Sequence, residues 1–207
     1  MGMEQGGKRL EKLEALETEL FDLYWKQKDM AGVTRVGQEG VALALAEAER
    51  AEAGDVLTFN LHASKFAYNV ASFCWPGWDE PGIVLGEPEI SAGIAAATLN
   101  QHLVQDLEVP PIKHARAAWI VGAHALTAAD YQRAQEQFAQ SAAHAEAAGN
   151  AAETLLGQTF AALAAHLFAP ELETRLEAFT ALMTQLAQAK DGHEFVRQVE
   201  TAHRVCT

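Results

Sequence analysis

The chain has 207 residues, 49% of them hydrophobic and 21% charged, the balance of an ordinary soluble globular protein rather than a disordered or membrane-spanning one. Its 28 acidic against 15 basic residues leave a formal net charge of −13, which repels phosphate backbones and argues against nucleic acid as a direct partner, while a basic peptide or a cation stays compatible. No apolar run approaches the ~18 residues of a membrane span, the start MGMEQGGKRLEKLE lacks the apolar core of a signal peptide, and Cys74 and Cys206 have no metal-type spacing, so a cytoplasmic protein is expected, with no membrane partner.

Residues 1–7 read as a disordered leader, and everything from Lys8 to the end as a single helical domain. Leu10, Leu13, Leu16, Leu20, Phe21 and Tyr24 form the stripe of a first helix, with Glu11, Glu14, Glu17 and Asp22 around it. A second helix, from about Met30 to Ala53, carries Val33, Val36, Val41, Leu45 and Ala48 and stops at Gly54. A third runs from Val56 to Trp75 with Phe59, Phe66, Val70 and Phe73 as core, and Pro76 breaks it. PGWDEPGIVLGEP, residues 76–88, is too rich in Pro and Gly for regular helix, and a fourth helix follows from Glu89 to Leu107. Pro110-Pro111 starts the fifth.

AAWIVGAHALTAADYQRAQEQFAQSAAHAEAAGN, residues 117–150, reads as a complete helix-turn-helix unit. Gly122 marks a close helix approach, Thr127 with Asp130 a capping box, and Gly149 a stop, while Tyr131, Ala134, Phe138, Ala142, Ala145 and Ala148 share one face. With Gly122, Asp130-Tyr131, Ala134 and Phe138 in place, the stretch resembles a tetratricopeptide repeat, whose period is roughly 34 residues. It departs from that pattern at Trp119, one residue too close to Gly122, at Val121, and at the closing position, where Gly149-Asn150 replaces Pro. Aligning Lys28-Asp29-Met30 with Ala129-Asp130-Tyr131 puts an earlier turn almost three periods upstream.

Beyond the repeat, Asn150 and Glu153 cap a helix through Leu155, Leu156, Phe160, Leu163 and Leu167. Pro170 is expected to start another through Leu172, Leu176, Phe179, Met183 and Leu186; Asp191-Gly192 interrupts, and Phe195, Val196, Val199, Ala202 and Val205 line the last. The fold class is therefore all-α, about nine helices, and the resemblance implies a right-handed stack of antiparallel hairpins.

Eight histidines invite a metal, but the spacing offers no His-Glu-x-x-His and only one Glu-x-x-His, at Glu200 and His203, so neither metal nor cofactor is expected. His144 and His193 read as solvated; His62, His124 and His166, amid apolar residues, as core or groove positions. Cys74 ends a helix, which raises a thiol pKa, so catalysis is not expected. The remaining reading is a scaffold that binds a protein or a peptide, with a basic one favoured by charge. The repeat resemblance implies a groove in which Lys and Asn one turn apart, plus a later Arg, hold a peptide carboxylate: Lys65 and Asn69 have that spacing, and Arg116 follows on the fifth helix. Trp75 and Trp78 beside Asp79 and Glu80 offer either an aromatic edge for a basic ligand or a plug at the end of the stack. The alternative function is a small-ligand sensor near His62, Asn69 and the tryptophan loop. An exposed apolar stripe on the first or last helix would allow a homodimer.

Overall fold

The computed structural model describes residues 2–190 and 192–207, with side chains from residue 7 onward. Among the described residues there are nine α-helices and no strand: α1 (Gly2–Asp22), α2 (Met30–Arg50), α3 (Val56–Phe73), α4 (Glu87–Asp106), α5 (Pro111–Thr127), α6 (Tyr131–Ala147), α7 (Ala151–Phe168), α8 (Glu173–Gln188) and α9 (Gly192–Cys206). A π-helical turn, Leu23–Gln27, ends α1, and a 3-10 turn, Pro76–Trp78, lies in the long connection before α4. α1 to α4 pack consecutively on one another, and so do α5 to α9. The expected leader over residues 1–7 includes Met1, which lies outside the described residues, and α1 is drawn from Gly2. The expected break at Asp191-Gly192 likewise includes Asp191, outside the described residues.

The chain groups into two compact units: Met1–Cys74 with Pro81–Leu107, and Trp75–Glu80 with Glu108–Thr207. In the first, Leu13, Leu16 and Leu20 of α1 and Val33, Val36 and Ala44 of α2 join Phe59, Phe66 and Val70 of α3 in one core. The approach of α2 to α3 depends on small residues, since a methyl at Gly40 would sit 2.5 Å from the Phe66 ring and one at Gly37 would overlap Val70. Asn100 of α4 secures α3 by donating its Nδ2 to the Ser64 carbonyl at 2.8 Å and to the Ser64 hydroxyl at 2.9 Å.

The second unit is densest where α6 lies between α5 and α7. Phe138 is fully buried and stacks on Phe160 of α7 at 4.9 Å, and a methyl at Gly122 of α5 would lie 3.0 Å from its ring. Gly157 of α7 meets backbone: its methyl would be 2.9 Å from the Ala142 nitrogen and 3.0 Å from the Phe138 oxygen.

One turn geometry recurs in both units. Lys28, Ala129 and Gly149 have φ of 55°, 57° and 69°, and the residue after each caps the next helix. Asp29 accepts from the Gly32 N–H at 2.9 Å, Asp130 from Arg133 at 3.2 Å and Asn150 from Glu153 at 3.1 Å. Backbone bonds close the preceding helices in the same manner, Asp130 N–H to Ala125 at 2.9 Å and Asn150 N–H to Ala145 at 2.9 Å, while Asp29 N–H reaches Leu23 at 3.0 Å, one residue wider because a π turn precedes it. Two details differ from the sequence reading. Thr127 belongs to the last turn of α5, where its hydroxyl donates to the His124 carbonyl at 3.1 Å, so Asp130 alone is the cap. Pro170 lies in the connection, and α8 starts at Glu173 after Leu172.

Two substitutions test this packing with opposite signs. Gly157→Ala gains about 1 kcal/mol of helix propensity but forces α6 and α7 apart at backbone atoms that cannot rotate away, for a net loss of about 1–2 kcal/mol. Ala129→Gly relieves a left-handed alanine and gains up to about 1 kcal/mol. Urea denaturation of both variants measures the two values.

Candidate functional site

In the first unit, three of the residues singled out in the sequence share one face of α3. His62, Lys65 and Asn69 are spaced three and four apart, and Phe73 continues the row one turn later. The row faces α1 and its π turn: the Lys65 ammonium pairs with the Glu17 carboxylate at 2.5 Å, and the Phe73 ring stacks on Tyr24 at 4.0 Å and meets Phe21 edge-on at 5.3 Å. The π turn follows from an extra residue in the last turn of α1; it turns Tyr24 into the core, 3% exposed, and leaves Trp25 53% exposed on the same side as Phe21. Lys28, left-handed at the end of that turn, holds its ammonium 5.6 Å from the Tyr24 ring centre and 5.4 Å from that of Trp25.

Two buried polar atoms on this row have no protein hydrogen-bond partner, His62 Nδ1 and Asn69 Nδ2. An amide N–H taken from water without an acceptor costs on the order of 1–3 kcal/mol, which a bound carbonyl or carboxylate oxygen would recover. Along α1 the same edge carries Glu14, Glu17, Phe21 and Trp25 at intervals of three and four. The face therefore presents an exposed aromatic wall, an amide donor without a partner, and an ion pair that competes for any incoming charge.

Trp75, Trp78 and Arg116 belong to the second unit. Trp75 is 1% exposed and donates its indole N–H to the Ala123 carbonyl at 2.8 Å, and its ring meets Trp78 at 5.0 Å, Trp119 at 5.2 Å and Phe160 at 6.3 Å, all edge-on. Gly77 permits the turn, because a side chain there would overlap the Trp75 indole. Trp75 thus fills a core, and the half-buried Trp78 is the member of the pair that meets solvent. Arg116 holds Glu153 of α7 in a forked pair, Nη2 to Oε1 at 2.7 Å and Nε to Oε1 at 3.2 Å. The three residues of the expected carboxylate clamp are accordingly divided between units, Lys65 and Asn69 in one and Arg116 in the other, and each cation is paired with a carboxylate of its own unit.

Sequence reasoning missed Trp25 and took Phe21 for core; the signal was an aromatic pair four residues apart at the polar edge of the α1 stripe. It also missed two histidine pairs, His114 with His144 at 5.3 Å between ring centres and His166 with His203 at 5.9 Å. Burial, and then the neighbouring His144, hold His114 below its ordinary pKa. No group of three or more His, Cys, Asp or Glu among the described residues is arranged to hold a metal ion. No helix among them is long and apolar enough to cross a membrane. Compared with family models, with curated proteins and with solved structures, the chain has no match.

Burial and the charge of Glu89 push the Cys74 thiol up to about 12, and burial pushes Cys206 up to about 11. Thiolate is scarce at both positions near neutral pH. A disulfide-exchange reagent at pH 8 should therefore titrate well under one thiol in the native protein within minutes and both after denaturation.

Proposed function

We propose that this protein is a non-catalytic helical-repeat module of tetratricopeptide-like build, a stack of antiparallel hairpins, that binds an extended peptide segment of a partner protein along the α1–α3 face. The repeat reading is supported by the recurring left-handed turn and Asx cap at Lys28-Asp29, Ala129-Asp130 and Gly149-Asn150. It is also supported by two contacts between a helix and the next but one, Glu17 with Lys65 between α1 and α3 and Arg116 with Glu153 between α5 and α7.

The observation that carries the binding reading is the Asn69 Nδ2 donor, buried without a partner one helical turn from Phe73, whose ring meets the exposed Phe21 and Trp25. An extended peptide supplies what this face lacks: a backbone carbonyl for Asn69 and an apolar side chain for the aromatic wall. The ion pair of Lys65 with Glu17 makes a free carboxylate a poorer occupant than a neutral backbone. Glu14 beside it, on a chain of net charge −13, favours a basic residue flanking the anchor. Bound in this way, the protein would act as an intracellular adaptor, holding a partner by a short aromatic-basic segment.

An array of twelve-residue peptides, each with free and amidated C-termini, tests the proposal. The wild type should retain peptides with an aromatic or large aliphatic residue near Lys or Arg, whether or not the terminus is free. Trp25→Ala and Asn69→Ala should each lose tenfold or more in affinity while keeping the wild-type helical circular dichroism. Peptides held equally by wild type and Trp25→Ala, or only with a free terminus and only when Lys65 is present, would refute this occupant.

A further inference from the structure

A knot of three rings ties the last helix of the second unit to its neighbours. His166 of α7 lies parallel to Phe179 of α8, with ring centres 6.3 Å apart, and His203 of α9 meets both edge-on, at 5.9 Å from His166 and 5.5 Å from Phe179. The Nδ1 of His166 is buried and has no hydrogen-bond partner. Apart from this knot, α9 is shallowly anchored: only Gly192, Val199 and Ala202 are buried, against eleven residues of α5. Its ion pair, Arg204 with Asp79 at 2.9 Å, is exposed on both sides and so contributes little. The helix packs on α7, α8, α5 and the Pro76–Trp78 turn.

We propose that α9 is an acid-released cover, which undocks when His203, packed against His166 and Phe179, takes up a proton, and bares the Trp78 side of the aromatic cluster beneath it.

Protonating either ring places a charge in the knot, and protonating both sets two like charges 5.9 Å apart. Among the described residues neither ring forms an ion pair with a carboxylate. From α8 comes Arg175, whose guanidinium donates to the Ala165 carbonyl at 2.7 Å and so brings further positive charge beside His166. Glu173 and Glu177 of α8 and Glu200 of α9 are exposed. The Pro76–Trp78 turn leads to Asp79, which is engaged by Arg204, and Cys206 of α9 stays a neutral thiol. α5 carries the buried His124, and its Arg116 is held by Glu153.

Burial, followed by the neighbouring His166, keeps His203 below its ordinary pKa. A folded-state value depressed in this way means that the unfolded or undocked chain binds more protons. The stability from His203 is therefore fully present above the ordinary histidine value of about 6.5. It is lost as the pH falls through that value and levels off below the folded one.

Amide hydrogen exchange of α9 at pH 7.5 and 5.5, corrected for intrinsic rates, tests this together with tryptophan emission. In the full-length wild type, α9 should lose at least tenfold more protection than α6 at the lower pH, and the emission should shift to the red. His203→Phe keeps a ring in the knot but cannot ionise, so its α9 should stay protected. His114→Gln, which removes the other histidine pair, should respond to acid as the wild type does. Equal loss of protection in His203→Phe, or no selective loss in the wild type, would overturn the proposal. Should His203→Phe fail to fold, an imidazole titration of the wild type by NMR decides: a His203 midpoint below the ordinary value supports the cover, and one at or above it overturns it.

Discussion

Helix α6 reaches both of its neighbours because each gives it a glycine. Phe138 occupies the space a side chain at Gly122 would need, and the backbone around Ala142 lies where one at Gly157 would go. The result is a sandwich of three helices with the Phe138 and Phe160 rings stacked at its centre. In the first unit α2 uses the same device toward α3, with Gly37 and Gly40 against Val70 and Phe66. A mid-helix glycine costs about 1 kcal/mol against alanine. The close packing it permits buries whole aromatic side chains, each contributing several times that amount. Every turn and side-chain row described above is positioned by these approaches.

That device was legible in the sequence at Gly122, because a glycine inside an otherwise good helical stripe has few other reasons to be there. The helices themselves were legible for the same reason: their apolar residues recur at three and four, and Asp29, Asp130 and Asn150 announce starts. What escaped was every pairing between residues distant in the chain. Trp75 stood beside a Pro-Gly loop and so read as the end of a helix, whereas its hydrogen-bond partner, the Ala123 carbonyl, lies 48 residues on. Lys65 and Arg116 looked like free cations because Glu17 and Glu153 belong to helices two elements away. The period-3.6 pattern reports which face of a helix is covered, and it carries no information on what covers it. The assignment of residues 75–80 to the second unit was unreadable for the same reason.

The two ion pairs bear on recognition. A surface cation that already holds a carboxylate of its own fold offers an incoming anion only the difference between two similar attractions. The forked Arg116–Glu153 pair is the harder to open, since two N–H groups share one carboxylate and Glu153 also accepts from the Asn150 amide at 3.3 Å. The single Lys65–Glu17 contact leaves two ammonium hydrogens for other acceptors. Selectivity of the proposed α1–α3 site would accordingly rest on shape and amide hydrogen bonding, with charge acting at the margin.

Buried polar atoms without partners discriminate between the aromatic sites of the molecule. Trp119 Nε1 is one such atom, but Trp119 is 7% exposed and ringed by Trp75, Trp78, Phe138 and Phe160, so a ligand would have to displace packed aromatic surface to satisfy it. His166 Nδ1 lies in the ring knot beside Phe179 and His203. His62 and Asn69 are likewise only partly buried, and the row they share runs to Phe73, whose ring meets the exposed Phe21 and Trp25 edge-on. Leaving a donor unsatisfied costs the same order of free energy at each place. On the α1–α3 face a molecule arriving from solvent would relieve that cost while the core stays closed, which supports placing the proposed recognition there.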